Sequence, residues 1–158
     1  MASWSELGVA APRLAARAQE LLYQFGVGLG FLATVDPSGA PRVHPLCPVI
    51  CDGDLYLLVV PGPKRADLRR DGRFALHSFP CVDNEDAAYL TGRAVELDDD
   101  PRRRAAVEQQ FLAERAAIPI PPELLAAQTL FRLDVTRCLV TTTAGHGDPD
   151  PRHEVWRA

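Results

Sequence analysis

The sequence predicts a mainly β protein. It should be a closed or nearly closed antiparallel barrel of six or seven strands, with helices at its periphery. Three observations predict it. Short apolar runs are separated by tight turns such as Asp36-Pro37-Ser38-Gly39 and Asp52-Gly53-Asp54. One run, Leu130 to Val140, opens with strict alternation: Phe131, Leu133 and Val135 against Arg132, Asp134 and Thr136. Helical patterning is confined to a segment before the first strand and one inserted late.

The elements follow in order. Pro12 to Phe25 carries Leu14, Ala18, Leu21, Leu22 and Phe25 on one stripe, with Arg13, Arg17 and Glu20 off it, and Gly26-Val27-Gly28 stops the helix. Leu29 to Val35 is a first strand. The turn at Asp36–Gly39 returns it into a second, about Arg42 to Cys51, as an antiparallel hairpin. Leu55 to Val60 lacks polar alternation, so both faces need cover, one by the barrel core and the other by a second subunit or a helix. Pro61-Gly62-Pro63 turns the chain into a short helix, Arg65 to Arg70, closed by Asp71-Gly72. Phe74–Phe79 and Ala88–Leu97 are the next strands, with Gly92 a bulge or a point of close approach. Asp98-Asp99-Asp100-Pro101 starts a helix running to about Ala117, with acids at the cap and Pro at the first position. Pro119, Pro121 and Pro122 break it, and a helical turn near Glu123–Ala127 follows. After Leu130–Val140 comes a Gly/Asp/Pro loop, then a short strand at His153 to Arg157.

With 158 residues the chain is expected to be one domain, and this size needs no covalent staple. A net charge of −4 argues against a general nucleic-acid binder. Cys47, Cys51, Cys81 and Cys138 form no Cys-x-x-Cys pair and are expected as free thiols. The N-terminus lacks a basic signal region, and no apolar run reaches the ~18 residues of a membrane span. These features lead to the expectation of a cytoplasmic protein. No His/Cys cluster has metal spacing, so no metal site is expected. There is no Gly-rich dinucleotide motif, no P-loop and no nucleophile elbow.

Two places could carry chemistry. Lys64 is the only lysine, and the sixteen other cationic side chains are arginine. It sits with Arg65 where a strand gives way to a helix N-terminus, whose free N–H groups and positive dipole end suit an anion. An ordinary solvated pair of charges in a turn is the alternative. The second place is Arg42-Val43-His44-Pro45, where Arg42 and His44 share one strand face. Pro45 cannot donate to the ladder, so this is an edge or an interruption. The stripe is either a solvated face or the wall of a groove. In a meander the Leu55–Val60 strand would lie beside it and bring Lys64 to the same groove. His77 is expected as a structural histidine, His146 and His153 as exposed ones, and Arg102–Arg104 as a solvated face.

The ordered series Leu32–Pro45, Asp52–Leu57, Pro63–Asp71, Phe74–His77 and Gly92–Leu97 resembles the pyridoxamine 5′-phosphate oxidase-like family of flavin-binding split β-barrels. The resemblance spans about residues 8 to 143. It implies a split barrel and a homodimer with a cofactor groove between protomers. The cofactor would be FMN, the deazaflavin F-420 or, less often, haem. It implies that Arg42, Val43, His44 and Pro45 contact the ring system, that Lys64 before Leu68 binds phosphate with help from Arg65, and that Trp156 approaches from the other subunit. It names no acid or base. In the oxidase proper, Ser and Arg stand where this chain has Gly62 and Pro63, and a Lys where it has Cys47. A small-molecule oxidoreductase with a weaker FMN site or an F-420 site is therefore implied. A non-catalytic flavin or haem carrier and a haem-degrading enzyme are the alternatives.

Overall fold

The structure is a computed structural model that describes residues 1–97 and 99–158. Asp98, the first of the aspartates expected to start the late helix, lies outside the described residues. The strands are β1 (Gly30–Val35), β2 (Pro41–Leu46), β3 (Pro48–Cys51), β4 (Asp54–Val59), β5 (Arg73–Ser78), β6 (Ala87–Glu96), β7 (Thr129–Thr142) and β8 (Arg152–Arg157). They form one antiparallel sheet in the order β2-β1-β5-β6-β7-β4-β3, with β8 added to β7. The two ends of this order, β2 and β3, are separated in sequence by Cys47 alone. The sheet therefore curls until its ends meet at one residue, which makes a nearly closed, split barrel.

That corner corrects one expectation. Arg42–Cys51 is not a single strand. Pro45 and Pro48 each withhold a ladder N–H, and the chain changes partner at Cys47. β2 pairs with β1 and β3 pairs with β4. The Leu55–Val60 strand thus runs beside β3 and not beside the Arg42 stripe. Among the described residues nothing pairs with the second edge of β2.

Among the described residues five helices decorate the sheet: α1 (Trp4–Ala10), α2 (Pro12–Leu22), α3 (Pro63–Arg70), α4 (Pro101–Glu114) and α5 (Pro122–Ala126). α1 was not anticipated. Ser3 and Glu6 close a reciprocal capping box, with the Glu6 N–H donating to Ser3 Oγ at 3.2 Å and the Ser3 N–H to Glu6 Oε2 at 2.7 Å. α2 ends at Leu22, earlier than Phe25, which is 48 % exposed. Tyr23 leaves the helix to accept the Ile50 N–H on its hydroxyl at 2.8 Å.

Two apolar clusters follow from the curl. Inside the barrel, Leu32, Leu55, Leu57, Leu76, Leu90 and Phe131 pack with Trp4, Leu7, Leu21 and Leu22 of α1 and α2. Outside it, Val49, Tyr56 and Leu130 lie under Val107 and Phe111 of α4. β4 is covered on both faces as expected, but the second cover is this chain's own helix. That strand alone gives no reason for a second subunit.

Asp100 caps α4 by accepting the Arg103 N–H at 2.9 Å. The helix stops at Glu114, short of Ala117, because the next residue is drawn inward. Arg115 is buried and donates to the carbonyls of Phe111 at 3.2 Å and Gly28 at 3.1 Å. Arg104, expected in solvent, donates to Gln128 O at 2.8 Å and Leu125 O at 3.2 Å, tying α5 to α4. The four cysteines are free thiols. No described helix is long and apolar enough to cross a membrane.

Candidate functional site

α3 opens at Gly62, a backbone with φ +151° that favours glycine, and Pro63 fills the first helical position. Among the described residues no side chain caps this end. The Lys64 and Arg65 N–H groups have no intrahelical acceptor by construction. Lys64 is half-buried, and among the described residues its ammonium has no ion pair and no hydrogen bond. Burial lowers its pKa, with Cys47 nearby opposing that shift. An incompletely hydrated cation at an uncapped helix N-terminus is a site that favours an anion.

Arg65 does not join Lys64 there. Its guanidinium lies 3.4 Å from both Ala127 O and Thr129 Oγ1 and fastens α3 to the α5–β7 junction. Arg42 reaches the site but is already engaged. Its Nε donates to Asp67 Oδ2 at 2.9 Å. Asp67 is 3 % exposed and also accepts from Thr34 Oγ1 at 2.9 Å, with Arg70 3.9 Å away. One buried carboxylate thus locks α3 onto β1 and β2. Sequence reasoning missed Asp67. The available signal was a lone acid in the basic run Lys64–Arg70, next to the buried Leu68.

His44 lies on the same face of β2 as Arg42. Its Nε2 is buried with no hydrogen-bond partner among the described residues. Burial first, then the charges of Lys64 and Arg42, lowers its pKa, and Asp67 opposes them. The imidazole is therefore neutral near pH 7. An unfolded His44 takes up its proton near the ordinary value of 6.5, and the folded one only at lower pH. Between those values the unfolded chain binds more protons, so stability falls as pH drops through that window. We expect His44→Gln to flatten this limb of the stability curve. Urea denaturation at about pH 7 and about pH 5 checks it, and an unchanged pH slope would contradict it.

Val43 and Pro45 point the other way. Val43 is 61 % exposed, on the outer sheet face with Pro45 and Phe31. Trp156 is on β8 opposite Cys138, half-buried against the barrel core, and β1, β5, β6 and β7 separate its strand from β2. One chain therefore assembles Lys64, His44 and Arg42, and leaves Val43, Pro45, Arg65 and Trp156 elsewhere. His77 is exposed on the outer face, with Nδ1 2.6 Å from Ser78 O. His146 and His153 are also exposed. No group of metal-ligating side chains occurs among the described residues.

No protein-family model matches the sequence, and no curated protein matches it either. Solved structures do. A haem-binding protein from Mycobacterium smegmatis aligns with a TM-score of 0.63 at 19% identity over 90% of this chain, which spans 57% of that protein. An FAD-binding protein from Mesorhizobium loti aligns with a TM-score of 0.60 at 22% identity, covering 78% of this chain and 91% of its own. An F420 reductase aligns with a TM-score of 0.57 at 21% identity, covering 75% of this chain and 94% of its own. At these identities the likeness establishes the fold alone, an antiparallel split barrel with peripheral helices.

Proposed function

We propose that this split barrel binds a flavin-type cofactor, FMN or the deazaflavin F-420, and serves as a cytoplasmic oxidoreductase for a small molecule. One observation carries this reading: Lys64 is a half-buried cation with no counter-charge among the described residues, at the uncapped N-terminus of α3. A phosphate would supply the missing charge and take the free N–H groups. The polar edge of a ring system would meet the unpartnered Nε2 of His44, which can donate or accept according to its tautomer.

The residues fit a cofactor phosphate, though with few donors. Pro63 has no N–H and Gly62 no side chain, so the anchor is one ammonium and two backbone amides. When bound, a flavin supplies hydride or electron transfer. The chain's own residues bind and orient it. Lys64 holds the phosphate, His44 addresses the ring edge, and Asp67 keeps Arg42 and α3 in place. The small anchor, with Cys47 in place of a second cation, supports an F-420 or weak FMN site over pyridoxamine-phosphate oxidation.

A second copy of the chain would complete the groove. Phe31, Val43 and Pro45 present an exposed apolar face on the strands beside the site, and Trp156 of a second copy is the candidate ring contact. Light scattering of the purified protein tests this, and a monomer would contradict it.

We expect Lys64→Ala to weaken cofactor binding by about 1.5–3 kcal/mol, the scale of a hydrogen bond to a charged group. Titration of each purified protein with FMN and F-420, followed by absorbance, measures it. A second reading, a haem carrier or haem-degrading enzyme, is favoured by the neutral, unpartnered His44 imidazole, since iron takes such a nitrogen. A haem titration of wild type and His44→Ala separates the two.

A further inference from the structure

The outer face of the sheet carries a groove of about 540 Å³ that includes none of Lys64, His44 or Arg42. Strand register explains its shape. Ala33, Ala75, Thr91 and Arg137 are successive cross-strand partners on β1, β5, β6 and β7, so they share one row. The first three are short. A row of taller side chains flanks them on each side: His77 and Tyr89 on one, Arg73 and Arg93 on the other. The floor crosses three strand spacings, about 14 Å, enough for a flat two-ring body. The volume falls within the range of small-molecule sites.

One end of the row is Arg137. Its guanidinium lies 6.0 Å from the centre of the Tyr89 ring, and Tyr89 lines the groove. Its Nε is buried without a hydrogen-bond partner, and no carboxylate pairs with it among the described residues. The residue opposite it on β8 is Arg157, another cation. Like charges directly across a ladder are unfavourable unless an anion lies between or beside them. Arg137 stands at the edge of the groove, next to the lining residues Thr136 and Tyr89, and the two guanidiniums that do line it are engaged. Arg73 makes a two-pronged pair with Asp71 at 2.7 and 2.8 Å, and Arg93 donates to the Asp71 carbonyl at 2.7 Å.

We propose that this groove binds a small, flat organic carboxylate. Its apolar body lies on Ala33 and Ala75, and its carboxylate meets Arg137. This site is separate from the one built on Lys64.

The probe is 2-naphthoate, titrated calorimetrically into the full-length protein. Wild type should saturate. Arg137→Gln should bind at least tenfold more weakly, Arg137→Lys should fall between, and Ala75→Leu, which raises the floor, should also lose affinity. Lys64→Ala should bind as wild type does. Thermal melts establish that each variant is folded, and if Arg137→Gln is not, Arg137→Lys and Ala75→Leu carry the test. Absence of saturation in wild type would overturn the proposal, including the case in which a second copy closes the groove. So would wild-type affinity in Arg137→Gln. Loss in Lys64→Ala with none in Arg137→Gln would place the probe at the other site and overturn it too.

Discussion

Arg115→Ala should lower the unfolding free energy by about 3–5 kcal/mol, the scale of breaking a buried ion pair. The Arg115 and Glu114 side chains are only 5% and 8% exposed, and they pair at 3.1 Å. The guanidinium also holds the carbonyls of Gly28 and Phe111 and stacks over the Phe111 ring at 4.2 Å. Glu114 in turn accepts from Tyr23 Oη at 3.2 Å and Gln110 Nε2 at 3.0 Å. Removing Arg115 leaves a buried carboxylate without its cation and the Gly28 carbonyl without its donor. The damage should reach further than one contact, because this network pins the end of α4, whose Val107 and Phe111 roof the outer apolar cluster. Urea denaturation measures the loss. A change below about 1 kcal/mol would show that the pair behaves as a surface ion pair.

Gly92→Ala should cost about 3 kcal/mol or more, at the severe end of overpacking. A methyl group there would stand 1.9 Å from the Asp134 carbonyl oxygen and 2.9 Å from its carbon. Both are backbone atoms of the paired strand, so no rotamer change relieves the clash. The register between β6 and β7 shifts at Thr91/Gly92, where Thr136 is the extra residue. The bulge lets β7 pair with β4 through its first half and β8 through its second. A Cβ at Gly92 would force β6 from β7 at the point where the barrel changes direction. Gly8→Ala is the control. It is a helix-interior glycine with open space around it, and the same change should stabilise by about 0.5–1 kcal/mol. Equal effects at both positions, read from thermal melts, would contradict this account of the bulge.

Much of the barrel was legible because its signals are local. The turns at Asp36–Gly39 and Asp52–Gly53, the alternation from Phe131 to Thr136 and the punctuating Gly92 each specify backbone without reference to distant residues. The capping box of Ser3 and Glu6 was equally local and was overlooked. What local pattern could not supply was partner choice. Arg42 to Cys51 looks continuous, and only the closure of the barrel makes the chain switch from β1 to β4 at Cys47. The site shows the same division. Lys64 stood out by composition and helix position. Asp67 did not, because a buried carboxylate is recognised by its partners Thr34, Arg42 and Arg70, and two of these come from the distant strands β1 and β2. Arg42 was expected to face a ligand for the same reason. Nothing in its own segment announces the acid that engages it. Arg115 sits at an ordinary helix end, and nothing in its own segment announces the distant Gly28 carbonyl that it meets.

We propose Lys64 as the anchor for the phosphate of a flavin-type cofactor. Its most direct test is an absorbance titration of wild type and Lys64→Ala with FMN and F-420, with haem run alongside. Saturable binding of FMN or F-420 to wild type is expected, with affinity about 10- to 150-fold lower in Lys64→Ala. Equal affinity in the two proteins, or binding of neither flavin, would contradict it.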